Sequence, residues 1–508
     1  MLTERSAGIL LHPTSLPGPF GIGDLGPEAF AFVDYLVDAG QRRWQVLPLG
    51  PTGYADSPYA SFSSFAGNPL LISLEVLARS GELPTELLQN IPTSLLEKRV
   101  EYGEVIAWKL PLLRQAASRF RERANSNRVA AYSAFCESNS GWLDDYALFM
   151  AIKTAFDARA KAEGRSSSIW NHYWDRDIAE RQPSALEKWR ATCKTEMDIQ
   201  KIWQFFFFEQ WLAVKRYANE RRIQIIGDLP IYVALDSADV WSAPHGFCLD
   251  AKGNPRLVAG VPPDYFSVTG QRWGNPVYDW NQMKCDHFRW WVQRFQGTKA
   301  LVDIIRVDHF RGFEAGWSIP SFEPTAINGE WIKAPGIELF QEVRRQLGEL
   351  PILAEDLGLI TPEVEHLRDS NQFPGMRVLQ FAFDSGPRPS NIFLPHNYVL
   401  NSVAYSGTHD NDTTIGWYAS RSKEQQDFVN DYLGFKPNDI AWEMIRLALS
   451  SVARLAIVPM QDVLSLGTES RMNTPSTQQG NWAWRMPAHY RMGDSAKKLA
   501  NLVALFDR

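Results

Sequence analysis

Eight short runs of almost continuously apolar residues, bounded by Gly, Pro or Asp, recur along the chain. Strands of this kind are typical of parallel sheets, because helices cover both faces and leave no solvent-facing side. The predicted strands are residues 8–12, 44–49, 223–228, 301–308, 352–356, 378–383, 402–408 and 455–460. Segments with helical periodicity lie between several of them, so the pattern predicts an α/β fold, a (β/α)8 TIM barrel.

Two of the intervening segments carry an apolar stripe at helical spacing. Gly348 follows the second stripe and predicts the end of that helix. The stripes consist of Phe207, Trp211, Val214 and Ala218 before the third strand, and of Ile337, Phe340, Val343 and Leu347 before the fifth.

Strand spacing is uneven. Roughly 170 residues separate the second and third strands, far more than an ordinary crossover needs. We therefore expect large, mainly helical insertions after strands 2 and 3 of one catalytic barrel unit spanning 1–508. The first is a helical subdomain at 66–200, in which Pro111 should kink or break a helix. The second, 232–286, is rich in Gly, Pro and aromatic residues, and loops of this kind at the C-terminal face of a barrel commonly carry functional residues.

Carboxylates stand where three predicted strands end: Asp308, Glu355 and Asp410. In a barrel these ends meet at one mouth. Arg306 and Asp308 are two residues apart and point to the same side of the strand, so the guanidinium should keep Asp308 ionised. Glu355 follows an apolar run, which should raise its pKa. One ionised and one protonated carboxyl group are typical of a retaining glycosidase, although each residue alone could form an ion pair, a helix cap or a turn.

Composition narrows the partners. The chain has 52 basic and 58 acidic residues, a net charge of −6, which disfavours nucleic acid binding. No apolar run is long enough to span a membrane, and the N-terminus does not resemble a signal peptide. The four cysteines lie far apart and predict free thiols in a reducing compartment. We expect a cytoplasmic protein that needs neither a cofactor nor a metal ion, since no nucleotide-binding or metalloprotease motif is present.

Eight ordered segments resemble one family across nearly the whole chain. They are LHPTSLPGPFGIGDLG, QVLPLGPTGYADSPYASFSSFAGNP, IIGDLPIYV, GVPPDYFSVTGQRWGNPVYDW, RVDHFRGFEAGW, LAEDLGLITPEV, YSGTHDNDT and RMNTPST. The sequence resembles the 4-α-glucanotransferases called amylomaltases or disproportionating enzymes, glycoside hydrolase family 77, related to the α-amylase clan. The resemblance implies donor and acceptor substrates that are α-1,4-glucans, with glucose also serving as acceptor.

The resemblance also implies residue roles. Asp308 would be the nucleophile, Glu355 the general acid/base and Asp410 the stabiliser of the transition state. Tyr54 matches a second, remote glucan-binding position. The implied substrate-binding residues are Arg306, His409, Asp228, Ser57 and Tyr59 at the donor sugar, Asp264, Tyr265, Phe266, Gln271 and Trp273 on a lid over the acceptor side that the insertion 232–286 would carry, and, as weaker matches, Asp384 and Asn473.

Two other functions remain open at this point. An α-1,4-glucan hydrolase of the amylase type would use the same carboxylates, and a catalytically silent glucan-binding protein could keep the barrel and its aromatic residues. The lid aromatics favour transfer, because they could bind an acceptor ring and keep water out. A double displacement further requires the carboxyl groups of Asp308 and Glu355 to lie about 5–5.5 Å apart.

Overall fold

A closed barrel of parallel strands forms the centre of the computed structural model, which describes residues 4–96, 99–263, 267–384 and 388–508. The strands within these ranges are β1 (Ser6–Leu10), β2 (Arg43–Gln45), β3 (Gln224–Leu229), β4 (Leu257–Val261), β5 (Gln271–Pro276), β6 (Ile304–Val307), β7 (Ala315–Pro320), β8 (Glu330–Lys333), β9 (Ile352–Ala354), β10 (Gly375–Val378), β11 (Ser402–Tyr405) and β12 (Leu455–Pro459). Eight of them close the barrel in the order β1-β2-β3-β6-β9-β10-β11-β12, with β12 paired to β1. This confirms the predicted (β/α)8 barrel.

The barrel strands are buried on both faces, as predicted. Every residue of β1, β6, β9, β10, β11 and β12 is buried. The sixth barrel strand is the exception to the predicted positions: it spans Gly375–Val378, whereas 380–383 forms a helical turn. The prediction chose 378–383 because that run is more apolar than the segment before it. In the structure, Met376 and Arg377 belong to the strand that pairs with β11.

The helices cover the barrel and build its first insertion. In chain order they are α1 (Pro27–Asp38), α2 (Leu74–Arg79), α3 (Tyr102–Arg123), α4 (Ser126–Ser138), α5 (Ser140–Ala162), α6 (Trp170–Tyr173), α7 (Arg176–Ala179), α8 (Pro183–Thr192), α9 (Lys194–Glu220), α10 (Ala238–Ser242), α11 (Trp280–Cys285), α12 (Arg289–Leu301), α13 (Gly336–Leu347), α14 (Pro362–Ser370), α15 (Gln380–Phe383), α16 (Thr414–Ala419), α17 (Lys423–Leu433), α18 (Ile440–Ser450), α19 (Met460–Val463) and α20 (Ser495–Leu505). Both predicted apolar stripes lie on helices, α9 and α13, and Gly348 follows α13 with a φ of 74°.

The first insertion, α2 to α8, packs on α9 through the buried faces of α5 and α3. Of the predicted kink or break at Pro111, the break does not occur, because α3 runs as one helix with the proline inside it. Its buried face, which includes Phe120, packs on α9, and this tertiary contact offsets the hydrogen bond that proline removes. On the same helix the buried Lys109 donates to the carbonyl of Leu70 at 2.7 Å and lies 3.6 Å from Asp24.

A second sheet lies beside the barrel. It is antiparallel, with the order β5-β4-β7-β8. The insertion at 232–286 supplies β4 and β5 along with short helices, and the segment after β6 supplies β7 and β8. The sequence analysis did not predict this sheet, because its short strands are stabilised by pairing between distant segments and not by a strong local pattern. In the described part of the chain, no helix is both long and apolar enough to span a membrane.

Candidate active site

Arg306 binds two carboxylates at the ends of neighbouring strands. Its Nη1 donates to both oxygens of Asp228, at 2.7 Å each, and to Oδ1 of Asp308 at 2.9 Å. The pairing of β3 with β6 places Asp228 directly opposite Arg306. Burial opposes the guanidinium charge, but the two carboxylates more than offset it and raise the pKa of Arg306. The prediction that Arg306 lies on the same side as Asp308 is confirmed.

Glu355 follows β9, and its partly buried carboxyl group lies close enough to Asp308 to feel its charge. Burial first, and the negative charge of Asp308 second, raise the pKa of Glu355 from 4.5 to about 8. Two backbone N–H groups hold the side chain: that of His309 donates to Oε2 at 2.6 Å, and that of Leu357 to Oε1 at 2.9 Å. The predicted rise in the pKa of Glu355 is confirmed, and the group keeps a proton at neutral pH.

Tyr59 connects this cluster to the third carboxylate. Its hydroxyl donates to Oδ2 of Asp228 at 2.7 Å. Its ring stacks on the imidazole of His409, with centroids 5.2 Å apart and planes 15° apart. Nε2 of His409 in turn lies 3.4 Å from Oδ1 of Asp410. A continuous series of contacts therefore crosses the barrel mouth from Asp308 to Asp410.

The carboxylate of Asp410 is the most exposed of the three, with 49% of its side chain accessible. Nδ2 of Asn473 donates to Oδ1 of Asp410 at 2.6 Å, and Nη2 of Arg471 donates to its backbone carbonyl at 2.6 Å. Asn473, one of the weaker matches, therefore lies in this cluster. The segment after β12 holds both the side chain and the main chain of Asp410.

The loop after β2 carries three of the predicted residues. Oγ of Ser57 accepts the backbone N–H of Tyr59 at 3.2 Å, so Ser57 fixes the turn that presents the tyrosine ring. Tyr54, on the same loop, points to solvent with 69% of the residue exposed. Ala55 and Asp56 between them both have positive φ, at 54° and 57°.

Asp384 is engaged by other protein groups. Its Oδ1 accepts from Nη1 of Arg421 at 2.7 Å and from Nε1 of Trp417 at 3.0 Å. Within the described residues, no hydrogen bond or ion pair of Asp384 reaches the carboxylate cluster.

β5, which belongs to the insertion predicted to carry the lid, places Trp273 beside His309. The Trp273 ring lies 4.9 Å from the His309 ring at an angle of 83°, and the residue is 39% exposed. Nε1 of Trp273 donates to Oε1 of Gln271 at 3.2 Å. The other predicted lid residues, Asp264, Tyr265 and Phe266, lie outside the described residues.

The sequence analysis missed two residues of this cluster. His309 has a φ of 47°, a left-handed conformation that directs its N–H to Glu355, and burial lowers the pKa of its imidazole to about 4. Its position next to Asp308 was an available signal. Trp482 lies 5.8 Å from Tyr59 and 5.9 Å from His409 between ring centroids, and no local pattern marks it. Among the described residues, no group of three His, Cys, Asp or Glu side chains is placed to hold a metal ion.

This chain is similar to known proteins in sequence and in fold. The sequence profile of a family described as 4-alpha-glucanotransferase matches residues 11–490. A 4-alpha-glucanotransferase of Synechocystis sp. is 55% identical over 489 residues, covering 96% of this chain and 94% of the relative. One from Thermus thermophilus is 49% identical, with coverage of 96% and 95%. The fold is similar to that of the amylomaltase from Streptococcus agalactiae in complex with acarbose, with a TM-score of 0.94, 39% identity and coverage of 99% and 100%.

Proposed function

The chain belongs to the 4-alpha-glucanotransferase family, and from this membership we propose how its residues move a segment of α-1,4-glucan from a donor to the 4-hydroxyl of an acceptor glucan or glucose. One observation carries the assignment: two carboxyl groups at one mouth have opposite environments. Asp308 lies beside the Arg306 cation, whereas burial raises the pKa of Glu355 to about 8. A retaining double displacement needs this division between nucleophile and acid.

In the first displacement, Asp308 attacks the anomeric carbon of the donor. The hydrogen bond from Arg306 directs one carboxylate oxygen and leaves the other free for attack. Glu355 gives its proton to the departing sugar oxygen, so the C–O bond breaks as the glycosyl–Asp308 bond forms with inverted configuration. The backbone N–H groups that hold Glu355 fix the direction in which the proton leaves.

In the second displacement, Glu355 acts as the base. Its carboxylate takes the proton from the 4-hydroxyl of the acceptor, whose oxygen displaces Asp308 and restores the α-linkage. Asp410 stabilises the positive charge that builds on the sugar ring in both transition states. The proposed separation of about 5–5.5 Å between the carboxyl groups of Asp308 and Glu355 leaves no room for an intervening water molecule.

The donor sugar is held by the contact series across the mouth. Tyr59 and His409 offer adjacent stacked rings, and Arg306 and Asp228 offer polar atoms for sugar hydroxyls. Ser57 supports Tyr59 because its hydroxyl oxygen accepts the backbone N–H of Tyr59, and Asn473 orients Asp410. Asp384 belongs to the same proposed set, although reaching a sugar would require it to share its carboxylate with Arg421 and Trp417.

The acceptor side is formed by the lid. We place Gln271 and Trp273 there, together with the lid residues Asp264, Tyr265 and Phe266. Trp273 is half-exposed next to His309, so an acceptor ring could cover it and exclude water from Glu355. The exposed ring of Tyr54 is the proposed contact of a second glucan site on the outer surface.

The proposed location is the cytoplasm. The four cysteines carry free thiols, which suits a reducing compartment. Cell fractionation followed by an activity assay tests this location.

Incubation with maltotriose tests the transfer reaction. We expect a ladder of longer glucans together with free glucose, and Asp308→Ala should lower kcat at least about 10⁴-fold because the nucleophile is lost. Asp369→Asn is the matched control, since in the described part of the chain the side chain of this exposed aspartate pairs only with the neighbouring Arg368. Shortened products alone would indicate an amylase-type hydrolase. Glucan binding with an unchanged, near-zero turnover in both variants and the parent would indicate a silent binding protein.

A further inference from the structure

Asp410 is placed differently from a buried catalytic group. About half of its side chain is exposed, so packing cannot hold its carboxylate in one position. A group that stabilises a developing charge must nevertheless be fixed to within about 0.5 Å. The position of Asp410 therefore depends on the loop that carries it, residues 406–414, which we call the stabiliser loop.

A buried aspartate ties the two ends of the stabiliser loop together. Oδ2 of Asp462 accepts from Oγ of Ser406 at 2.6 Å and from Oγ1 of Thr414 at 2.8 Å. Its Oδ1 accepts the backbone N–H of Thr414 at 2.7 Å. Ser406 comes directly after β11 and Thr414 is the first residue of α16, so the three bonds close the loop on either side of Asp410.

The environment of Asp462 is costly for a carboxylate. The residue is 1% exposed, and Ser406 and Thr414 are fully buried. Among the described residues the hydrogen bonds that Asp462 accepts come from neutral donors, and the charge of Asp412, which acts on it, has the same sign. Burying a carboxylate without a cation costs free energy, and an apolar side chain here would avoid that cost. The three bonds to the stabiliser loop are what this residue adds.

We propose that Asp462 is a positioning residue that acts on the reaction through Asp410. The inference rests on the proposed role of Asp410 as transition-state stabiliser. Arg471 and Asn473 hold the exposed side of the loop, and Asp462 holds its buried ends. The segment after β12 thus fixes a residue that follows β11.

Asp462→Asn is the test variant, because it keeps the shape and removes one of the two acceptor oxygens. The hydroxyls of Ser406 and Thr414 can rotate to accept from the new amide, so the fold should survive while the loop loosens. We expect kcat with maltotriose to fall about 30-fold, with KM changed less than about twofold, since the stabiliser acts in the transition state.

Asp439→Asn is the matched control. Asp439 also accepts one serine hydroxyl, that of Ser465 at 2.6 Å, and two backbone N–H groups, of Ala441 and Trp442. It has none of the contacts of Asp462 with the stabiliser loop. We expect kcat within about twofold of the parent, and equal loss in both variants would overturn the proposal.

A double-mutant cycle with Asp410→Asn separates positioning from general destabilisation. If Asp462 acts through Asp410, then adding Asp462→Asn to Asp410→Asn should lower kcat less than about threefold further. A further loss of about 30-fold, as large as in the parent, would mean that Asp462 acts elsewhere and would overturn the inference.

Two further results decide the remaining cases. If Asp462→Asn does not fold, Ser406→Ala and Thr414→Val each remove one donor from Asp462 and should show the same dependence on Asp410; additive losses would refute the proposal. If Asp410→Asn keeps the parent kcat, the proposed role of Asp410 fails. If Asp410→Asn loses activity but Asp462→Asn does not, only the inference about Asp462 fails.

Discussion

The two sides of the barrel mouth hold their carboxylates by different means. On the β6–β9 side, Asp308 pairs with the buried Arg306, and burial raises the pKa of Glu355 to about 8. On the β11 side, Asp410 is half-exposed and is held by Asn473 and by a loop tied through neutral hydrogen bonds.

This difference matches the two tasks that we propose. A nucleophile and an acid must differ in protonation state, so their side of the mouth is built from burial and charge. A stabiliser must stay ionised and be well placed, so its side can remain open to solvent while the loop beneath it is buried. The protonation states of Asp308 and Glu355 are set on the β6–β9 side, whereas on the β11 side the surrounding contacts set the position of Asp410.

The leaving group provides the largest test of the comparison. Glu355→Gln should lower the rate with maltotriose about 10³-fold, because the departing sugar is no longer protonated. With α-maltotriosyl fluoride most of that loss in kcat/KM should disappear, since fluoride leaves without a proton. Asp410→Asn should lose a similar factor with both donors, because the charge on the sugar ring develops in either case.

Initial rates of glucose or fluoride release measure these losses. Asp369→Asn again serves as the surface control. A recovery of Asp410→Asn with the fluoride donor would break the distinction between the two sides, as would a Glu355→Gln variant equally impaired with both donors.

Stability against pH provides a second, smaller test. The pKa of Glu355 is raised, so the folded state holds this proton more tightly than the unfolded chain does. Its contribution to stability is present below pH 4.5 and is lost as the pH rises to about 8. Relative to the parent, Glu355→Gln should therefore gain about 3 kcal/mol by pH 7, with no gain from this source at pH 4.

Denaturant unfolding at several pH values measures this gain. A stability difference between the parent and Glu355→Gln that does not change with pH would contradict the raised pKa of Glu355.

The parts of this fold with strong local patterns were predictable from sequence. Buried parallel strands can be recognised as apolar runs, and the carboxylates at the ends of these runs are then predicted to meet at the barrel mouth. The sixth barrel strand was misplaced because Arg377 interrupts its pattern while the next residues are apolar. The antiparallel sheet was not predicted because β4 pairs with β7, and the barrel strand β6 lies between these two strands in the sequence.

Residues that act through distant contacts were not predictable from their neighbours. Tyr59 meets Asp228 across 169 positions of sequence, and only the family resemblance singled it out. Asp462 follows β12 as one acidic residue among several, and its bonds to Ser406 and Thr414 arise only when β11 and β12 pair. The left-handed turn at His309, which aims an N–H at Glu355, has no signature of its own.

The smallest expected effect concerns Trp273, which lies over the buried side alone. Among the described residues its ring contacts those of His309, next to Asp308 and Glu355, and of Tyr232, but not that of His409. Trp273→Ala should raise the ratio of hydrolysis to transfer about 10-fold. Without the indole ring, an acceptor sugar is held less firmly and water gains access to the site. Trp273→Phe is the control and should keep most of the transfer. Reducing-end release measured against longer products from maltotriose gives the ratio.

Since exposure to water also weakens the burial of Glu355, its pKa should fall and the stability gain of Glu355→Gln should shrink in the Trp273→Ala background. If the product ratio changes but the stability gain of Glu355→Gln stays the same, then Trp273 selects the acceptor without excluding water from Glu355.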